Sequence, residues 1–233
     1  MQYGYFDDDT REYVITNPET PESWSNYLGS TRYGAIITNN AGGYSFYKSA
    51  AQGRFMRFRT NSIPMDQPGR YLYIHDKDSK DYWSASWQPV GKPLDKFKSV
   101  CRHGTAYSII ESEYTEIASK VTYFVPLGKD YEYWLCNLTN TGNTKRRLRL
   151  FTFVEYANHW KLNQDIVNLQ YTQYVLKMDV KENIIEHGIN VNLPHDSDDI
   201  VEGASSKYTF LGLAGAPVTG YDTDRDAFLG SYR

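Results

Sequence analysis

The sequence predicts an all-β fold, one large antiparallel β-sandwich (a super-sandwich) in a single domain spanning 1–233, on three observations. Apolar residues recur with a period close to two over most of the chain, which is the strand signature. No window of twelve or more residues carries an uninterrupted helical stripe. The apolar segments also return at the short spacings of a sandwich, with no internal repeat or low-complexity linker dividing them.

In chain order, strands are expected at Ala35 to Asn39, Tyr44 to Tyr47 and Arg54 to Arg59. Arg70 to His75 reads as a strand joined to Tyr82 to Ser84 through the acidic, glycine-free turn Asp76 to Asp81, forming a hairpin. Ala106 to Ser112 follows. The clearest element is Ile117 to Val125, where Ile117, Val121, Tyr123 and Val125 share one face, Lys120 and Thr122 oppose them, and Pro126 ends the run. Tyr133 to Leu138 enters Asn140-Thr141-Gly142-Asn143 and Arg147 to Val154 leaves it, which reads as a second hairpin. Val175 to Val180 and Tyr208 to Leu213 complete the set, and Ile189 to Ser206, with Pro194 and an acidic cluster, reads as a surface loop. Because Phe228 to Arg233 stops inside an ordered-looking pattern, the expectation is a truncated chain.

Composition narrows the function classes. A net charge of -3 lacks the broad positive field that a phosphate backbone requires, so no nucleic-acid partner is expected. No segment approaches eighteen apolar residues and no basic, then apolar, leader opens the chain, which reads as a soluble cytoplasmic protein with no membrane partner. Tyr supplies 21 residues, a side chain suited both to half-wet strands and to surfaces that stack on sugar rings. Cys101 and Cys136 exclude a disulfide framework but leave a single bridge open.

No nucleophile elbow, zinc-protease, P-loop or dinucleotide fingerprint occurs. His75, His103, His159, His187 and His195 are scattered, without the clustering that a metal or a catalytic triad needs. Asp76 to Asp81 and Asp222 to Asp226 resemble cation loops, yet Asp81 and Ala227 stand where an EF-hand needs Gly, and Trp87 and Arg233 where it needs Glu. The first reads as a solvated turn, the second as an Asp and Arg network, and no metal is expected. Lys145, Arg146, Arg147 and Arg149 read as an exposed sheet face before an anion patch. Asn137-Leu138-Thr139 fits a glycosylation acceptor but lies inside an expected strand, and is set aside. Trp160 to Tyr174 combines amides with aromatics, which is sugar-binding chemistry, although on residues alone a polar connector between strands is the better reading.

Asn39-Asn40-Ala41-Gly42-Gly43-Tyr44-Ser45-Phe46-Tyr47 is more specific. Together with Tyr3-Gly4-Tyr5-Phe6-Asp7-Asp8, Arg11 to Thr16, Asn26 to Gly29, Tyr82-Trp83-Ser84, Trp87-Gln88-Pro89-Val90, Arg102-His103-Gly104, Asn168-Leu169-Gln170 and Asp224 to Gly230, it resembles the N-terminal part of the cellobiose and chitobiose phosphorylases, collinearly over essentially the whole chain. The resemblance implies an inverting phosphorylase in which phosphate, a co-substrate and not a cofactor, splits a β-linked disaccharide into an α-sugar 1-phosphate and a free sugar. It implies linker helices and an (α/α)6 catalytic barrel after residue 233, so that no catalytic residue lies in this chain, which alone is expected to be inactive. It also implies a homodimer. Gln170 becomes the sugar-contacting residue, with Asp165, Asn168 and Tyr171 beside it, and Asn40, Tyr44 and Tyr47 form a loop near the partner's site. Tyr171 stands where cellobiose enzymes carry Arg, which leaves the disaccharide open. The alternative is a stand-alone carbohydrate-binding sandwich without catalysis, and a reading frame continuing past Arg233 into a helical barrel would separate the two.

Overall fold

A computed structural model describes residues 2–51, 53–57, 68–157, 176–189 and 208–230. Among them lie strands β1 (Gly4–Asp7), β2 (Glu12–Ile15), β3 (Ser25–Gly29), β4 (Tyr33–Thr38), β5 (Gly43–Tyr47), β6 (Tyr71–Asp76), β7 (Tyr82–Ser84), β8 (Lys98–Gly104), β9 (Tyr107–Tyr114), β10 (Ile117–Phe124), β11 (Tyr133–Asn140), β12 (Leu148–Phe153), β13 (Leu176–Lys181), β14 (Ile184–Ile189) and β15 (Thr209–Gly212), and one short helix, α1 (Arg225–Leu229). The fold is all-β, as expected. Every strand pairing is antiparallel: a six-stranded sheet ordered β1-β2-β8-β9-β10-β11, and three-stranded sheets β3-β4-β5, β12-β6-β7 and β13-β14-β15.

The core lies where the inner face of the six-stranded sheet meets β3-β4-β5 and β12-β6-β7. Ile110, Ile117, Val121 and Tyr123 from the large sheet pack in one cluster with Leu28, Ala35 and Ile37 on one side and Tyr71, Ile74 and Trp83 on the other. The face expected for β10 is the one observed, with Ile117, Val121, Tyr123 and Val125 buried and Lys120 exposed. A row of serines crosses this core, since Ser99 pairs with Ser112 and Ser112 with Ser119. Ser112 donates to the Ala85 carbonyl after β7 at 2.8 Å and accepts from Ser119 at 2.8 Å, with Ser119 Oγ itself 3.4 Å from the same carbonyl. Small hydroxyls therefore bring the facing layer close at the point where it has a carbonyl to satisfy.

The β6–β7 hairpin forms as expected, with Tyr73 opposite Ser84. The other does not. β11 pairs with β10, while β12 crosses to β6, where Leu148 meets Asp76. The turn residues are spent locally instead, Asn140 Oδ1 accepting from Gly142 N–H and Thr141 N–H reaching Glu116 O. Arg54 to Arg59 is no strand within its described part: Arg54 and Met56 make isolated bridges to Phe46 and Tyr156. The strand expected from Ala106 begins one residue later, because Ala106 takes a left-handed turn conformation (φ 65°). Five strands carried no sequence signal. β1, β2, β3 and β14 are short or poorly alternating, and β8 turns Ser99, Cys101 and His103 to the core, so its buried face is not apolar.

The two cysteines stand at opposite ends of one row, Cys101–Ile110–Val121–Cys136, three strand spacings or about 14 Å apart, and form no bridge. Asp224 is the N-cap of α1, accepting from Asp226 N–H and Ala227 N–H, while Phe228 stacks on Phe153 and Arg225 reaches Glu155 at 3.2 Å. The second acidic string is thus a helix cap with an Arg and carboxylate network.

Candidate functional site

The sheet β3-β4-β5 carries the part of the expected site that lies within the described residues. Its outer face is aromatic because of register: Tyr27, Ile36 and Tyr44 align across the three strands, and Phe46 lies opposite Gly34. A Cβ on Gly34 would sit 2.3 Å from Phe46 Cζ, so the glycine lets that ring lie flat across β4. The Arg54 guanidinium lies over the Tyr44 ring, 5.6 Å from its centroid. Burial, then the nearby Tyr27 hydroxyl, raises the Tyr44 pKa above its ordinary value. Tyr27 is 67% exposed. Such a face presents aromatic rings to solvent.

What holds this face in place is a buried ion pair. Arg70, fully buried, donates to Glu132 at 2.5 Å, to the carbonyls of Ile36 and Tyr44 at 3.0 Å each, and to Ser45 Oγ at 2.5 Å. Glu132 also accepts from Trp134 Nε1 at 2.9 Å and from Ser45 Oγ at 3.0 Å. Burial, with Glu132 beside it, pushes the Tyr33 hydroxyl far up, so that phenol stays neutral. β4 and β5 are in this way tied from inside to the segment that precedes β11.

The expected loop residues do not share one surface. Tyr44 points to the outer face, whereas strand alternation turns Tyr47 to the other, with Lys48 over its ring at 5.3 Å. Asn40 is half-buried and donates to Pro18 O at 2.9 Å. The left-handed residue of the turn is Ala41 (φ 63°); Gly43 (φ 117°) is required because a Cβ there would meet Ile36 O at 2.1 Å. Asp165, Asn168, Gln170 and Tyr171, with His159 and His195, lie outside the described residues.

The charged strings neutralise each other. Asp76 accepts from Asp78 N–H, Ser79 Oγ and two of the three Arg146 guanidinium nitrogens, and Asp78 pairs with Arg147. Neither a cation loop nor an anion patch remains there. One pairing escaped the sequence reading: Cys101 and His103, two apart on β8, bring Sγ within 3.7 Å of Nδ1. His103 is spent on Ser108 and Trp24 O, burial lowers its pKa and raises that of the Cys101 thiol far above its ordinary value, and no cluster of three metal-ligating side chains occurs among the described residues. No helix among the described residues is long and apolar enough to cross a membrane.

A family model described as the supersandwich domain of glycosyl hydrolase 94 matches residues 11–233. An N,N'-diacetylchitobiose phosphorylase of Vibrio proteolyticus is 42% identical over 234 residues, which cover 100% of this chain and 28% of the relative. Its counterpart from Vibrio furnissii is 39% identical with the same coverage, and a solabiose phosphorylase of Paenibacillus borealis is 30% identical over 99% of this chain and 28% of its own length. The chain therefore spans about 28% of the length of these curated relatives.

Proposed function

The chain belongs to the glycosyl hydrolase 94 supersandwich family, and from that membership we propose that it is the N-terminal, site-shaping and dimer-forming domain of an inverting disaccharide phosphorylase. The observation that carries this reading is the unbroken similarity of the whole chain to chitobiose phosphorylases. Phosphate attacks the anomeric carbon of a β-linked disaccharide as an acid protonates the leaving oxygen, and inversion gives an α-sugar 1-phosphate. The acid and the phosphate clamp belong to a catalytic barrel outside these residues, and the setting is a cytoplasmic homodimer. The N-acetylated disaccharide is the first substrate to test, since two of the relatives are named for it.

Several features support a site-shaping role: the aromatic outer face of β3-β4-β5, the tie of that face to Arg70, and the amide-rich segment with Gln170 at its centre. Asn40 Oδ1, buried and without a partner among the described residues, is an acceptor that a neighbouring subunit would satisfy. In a protein that carries a catalytic barrel after this domain, phosphorolysis of N,N'-diacetylchitobiose should yield an α-1-phosphate in proton NMR, and the 233-residue chain alone should yield none. A β-1-phosphate, or turnover by the isolated chain, would overturn the proposal. Gln170→Ala in the longer protein should lower kcat/KM roughly ten- to a hundredfold with little change in Tm, and an unchanged kcat/KM removes Gln170 from the site.

A further inference from the structure

β1 and β2 lie at one edge of the six-stranded sheet. There the β1–β2 turn, the β8–β9 turn and the edge strand β3 enclose an open cleft of about 570 Å³, within the range of small-ligand sites. Hydrogen bonds build its walls. Asn26 Nδ2 donates to Gly104 O, Tyr107 O and Ser108 Oγ at 2.9, 2.8 and 3.2 Å, pinning β3 against the β8–β9 turn. Glu12 accepts from Tyr107 at 2.7 Å and from Arg102 at 3.4 Å. Asp7 caps its own turn through Asp9 N–H and Thr10 N–H.

The rings are the unspent part. Phe6 stands edge-on to Tyr13 with centroids 4.7 Å apart, and Tyr13 leads to Trp24 at 5.6 Å, so one aromatic stripe leaves the covered core and ends in the cleft. Phe6 is 77% exposed and Tyr27, which also lines the cleft, 67%. A phenylalanine left so open beside a built cleft is costly for a soluble face and useful for a ligand with an apolar side. The polar groups select further. Asp7 and Asp8 accept, Arg11 donates, and with Glu12 paired to Arg102 the two aspartates against the one Arg11 guanidinium still leave the lining net negative, which disfavours phosphate and other anions. His103, its pKa lowered by burial, adds no positive charge.

We propose that this cleft is a carbohydrate subsite, sharing Tyr27 with the outer face of β3-β4-β5, that takes a neutral β-linked glycan with its ring faces against Phe6 and Tyr27 and its hydroxyls on Asp7, Asp8 and Arg11. The choice of glycan rests on the phosphorylase reading; the existence of the subsite does not, because binding there needs neither phosphate nor turnover.

The test is calorimetric titration of the 233-residue chain with N,N'-diacetylchitobiose and, separately, with cellobiose, both without phosphate. Saturable binding in the millimolar range to at least one is expected, at least tenfold weaker in Phe6→Ala and in Tyr27→Ala, with Tm unchanged because both rings are exposed. Tyr5→Ala, whose ring lies on the other face of β1, should bind as the unaltered chain does. Weakening by Tyr27→Ala but not by Phe6→Ala would move the sugar to the Tyr44 face and overturn the cleft. No saturable binding, or saturable heat from inorganic phosphate alone, would also overturn it, and none of these outcomes touches the phosphorolysis test of the longer protein.

Discussion

Arg70 illustrates how much one buried side chain can organise. Removing it leaves the Glu132 carboxylate enclosed without its counter-charge, so Arg70→Met should destabilise the chain by about 3–5 kcal/mol in denaturant unfolding. Arg70→Met combined with Glu132→Leu should lose less than the single change, because the orphaned charge is gone. Gly34 makes the complementary case, where absence of a side chain does the organising. Gly34→Ala drives a methyl into the Phe46 ring, and a cost of about 1–3 kcal/mol is expected in thermal unfolding. In a Phe46→Leu background the same substitution should cost distinctly less, and equal costs in the two backgrounds would show that the ring is not what the glycine accommodates. Neither residue was legible in the sequence. Arg70 read as the start of a strand, and nothing within a few residues of Gly34 names the ring that lies on it.

At the scale of elements, alternation made β10 and the β6–β7 hairpin legible, and it failed for β8 for a physical reason. The buried face of β8 is built from Ser99, Cys101 and His103, whose polar groups are satisfied or tolerated inside, so a pattern search for apolar residues passes over it. The β11–β12 turn misled in the opposite way. Its residues have turn chemistry, but the strand after it finds a better partner in β6, where Arg146 and Arg147 meet the carboxylates of the Asp76 turn. That meeting makes a pH prediction. Burial acts to raise the Asp76 pKa, but the Asp78 N–H, Arg146 and Ser79 outweigh it and bring the carboxyl from 3.8 down to about 2. A folded pKa below the unfolded one means stability that is complete above about pH 4 and is lost as pH falls through about 2. Asp76→Asn should therefore lower Tm at pH 6, by an amount equivalent to about 1.5–3 kcal/mol, and the gap to the unaltered chain should narrow between pH 4 and 2. A gap that stays constant over that window would show that Asp76 is not the group titrating.

Over the whole molecule, the architecture was more legible than the site. A sandwich is a repeated local pattern, so its class survives errors in single strands. A site is a juxtaposition of distant residues: Tyr27 and Tyr44 come together through register with β4, and Phe6 and Tyr27 line one cleft because β3 is pinned to the β8–β9 turn. The cysteines show the same limit from the other side, since their count left one bridge open and only the strand order separates them. The unfolding midpoint should accordingly be the same with and without reductant, and a fall in Tm on reduction would contradict the row in which they stand.

The crossing of β12 to β6 also bears on how the chain is made. β6 finds β7 at once through a short turn, but its other edge must wait for β12, about 70 residues later. At a synthesis rate of roughly 5–20 residues per second, that edge stays unpaired for some 4 to 15 seconds on a nascent chain. Through that interval Tyr71, Leu72 and Ile74, all buried once the sandwich closes, lie along an open ladder of backbone donors and acceptors. The vulnerable moment in this protein's life is thus translational, and slowing the ribosome between codons 77 and 147 should raise the aggregated fraction more than slowing it after codon 153.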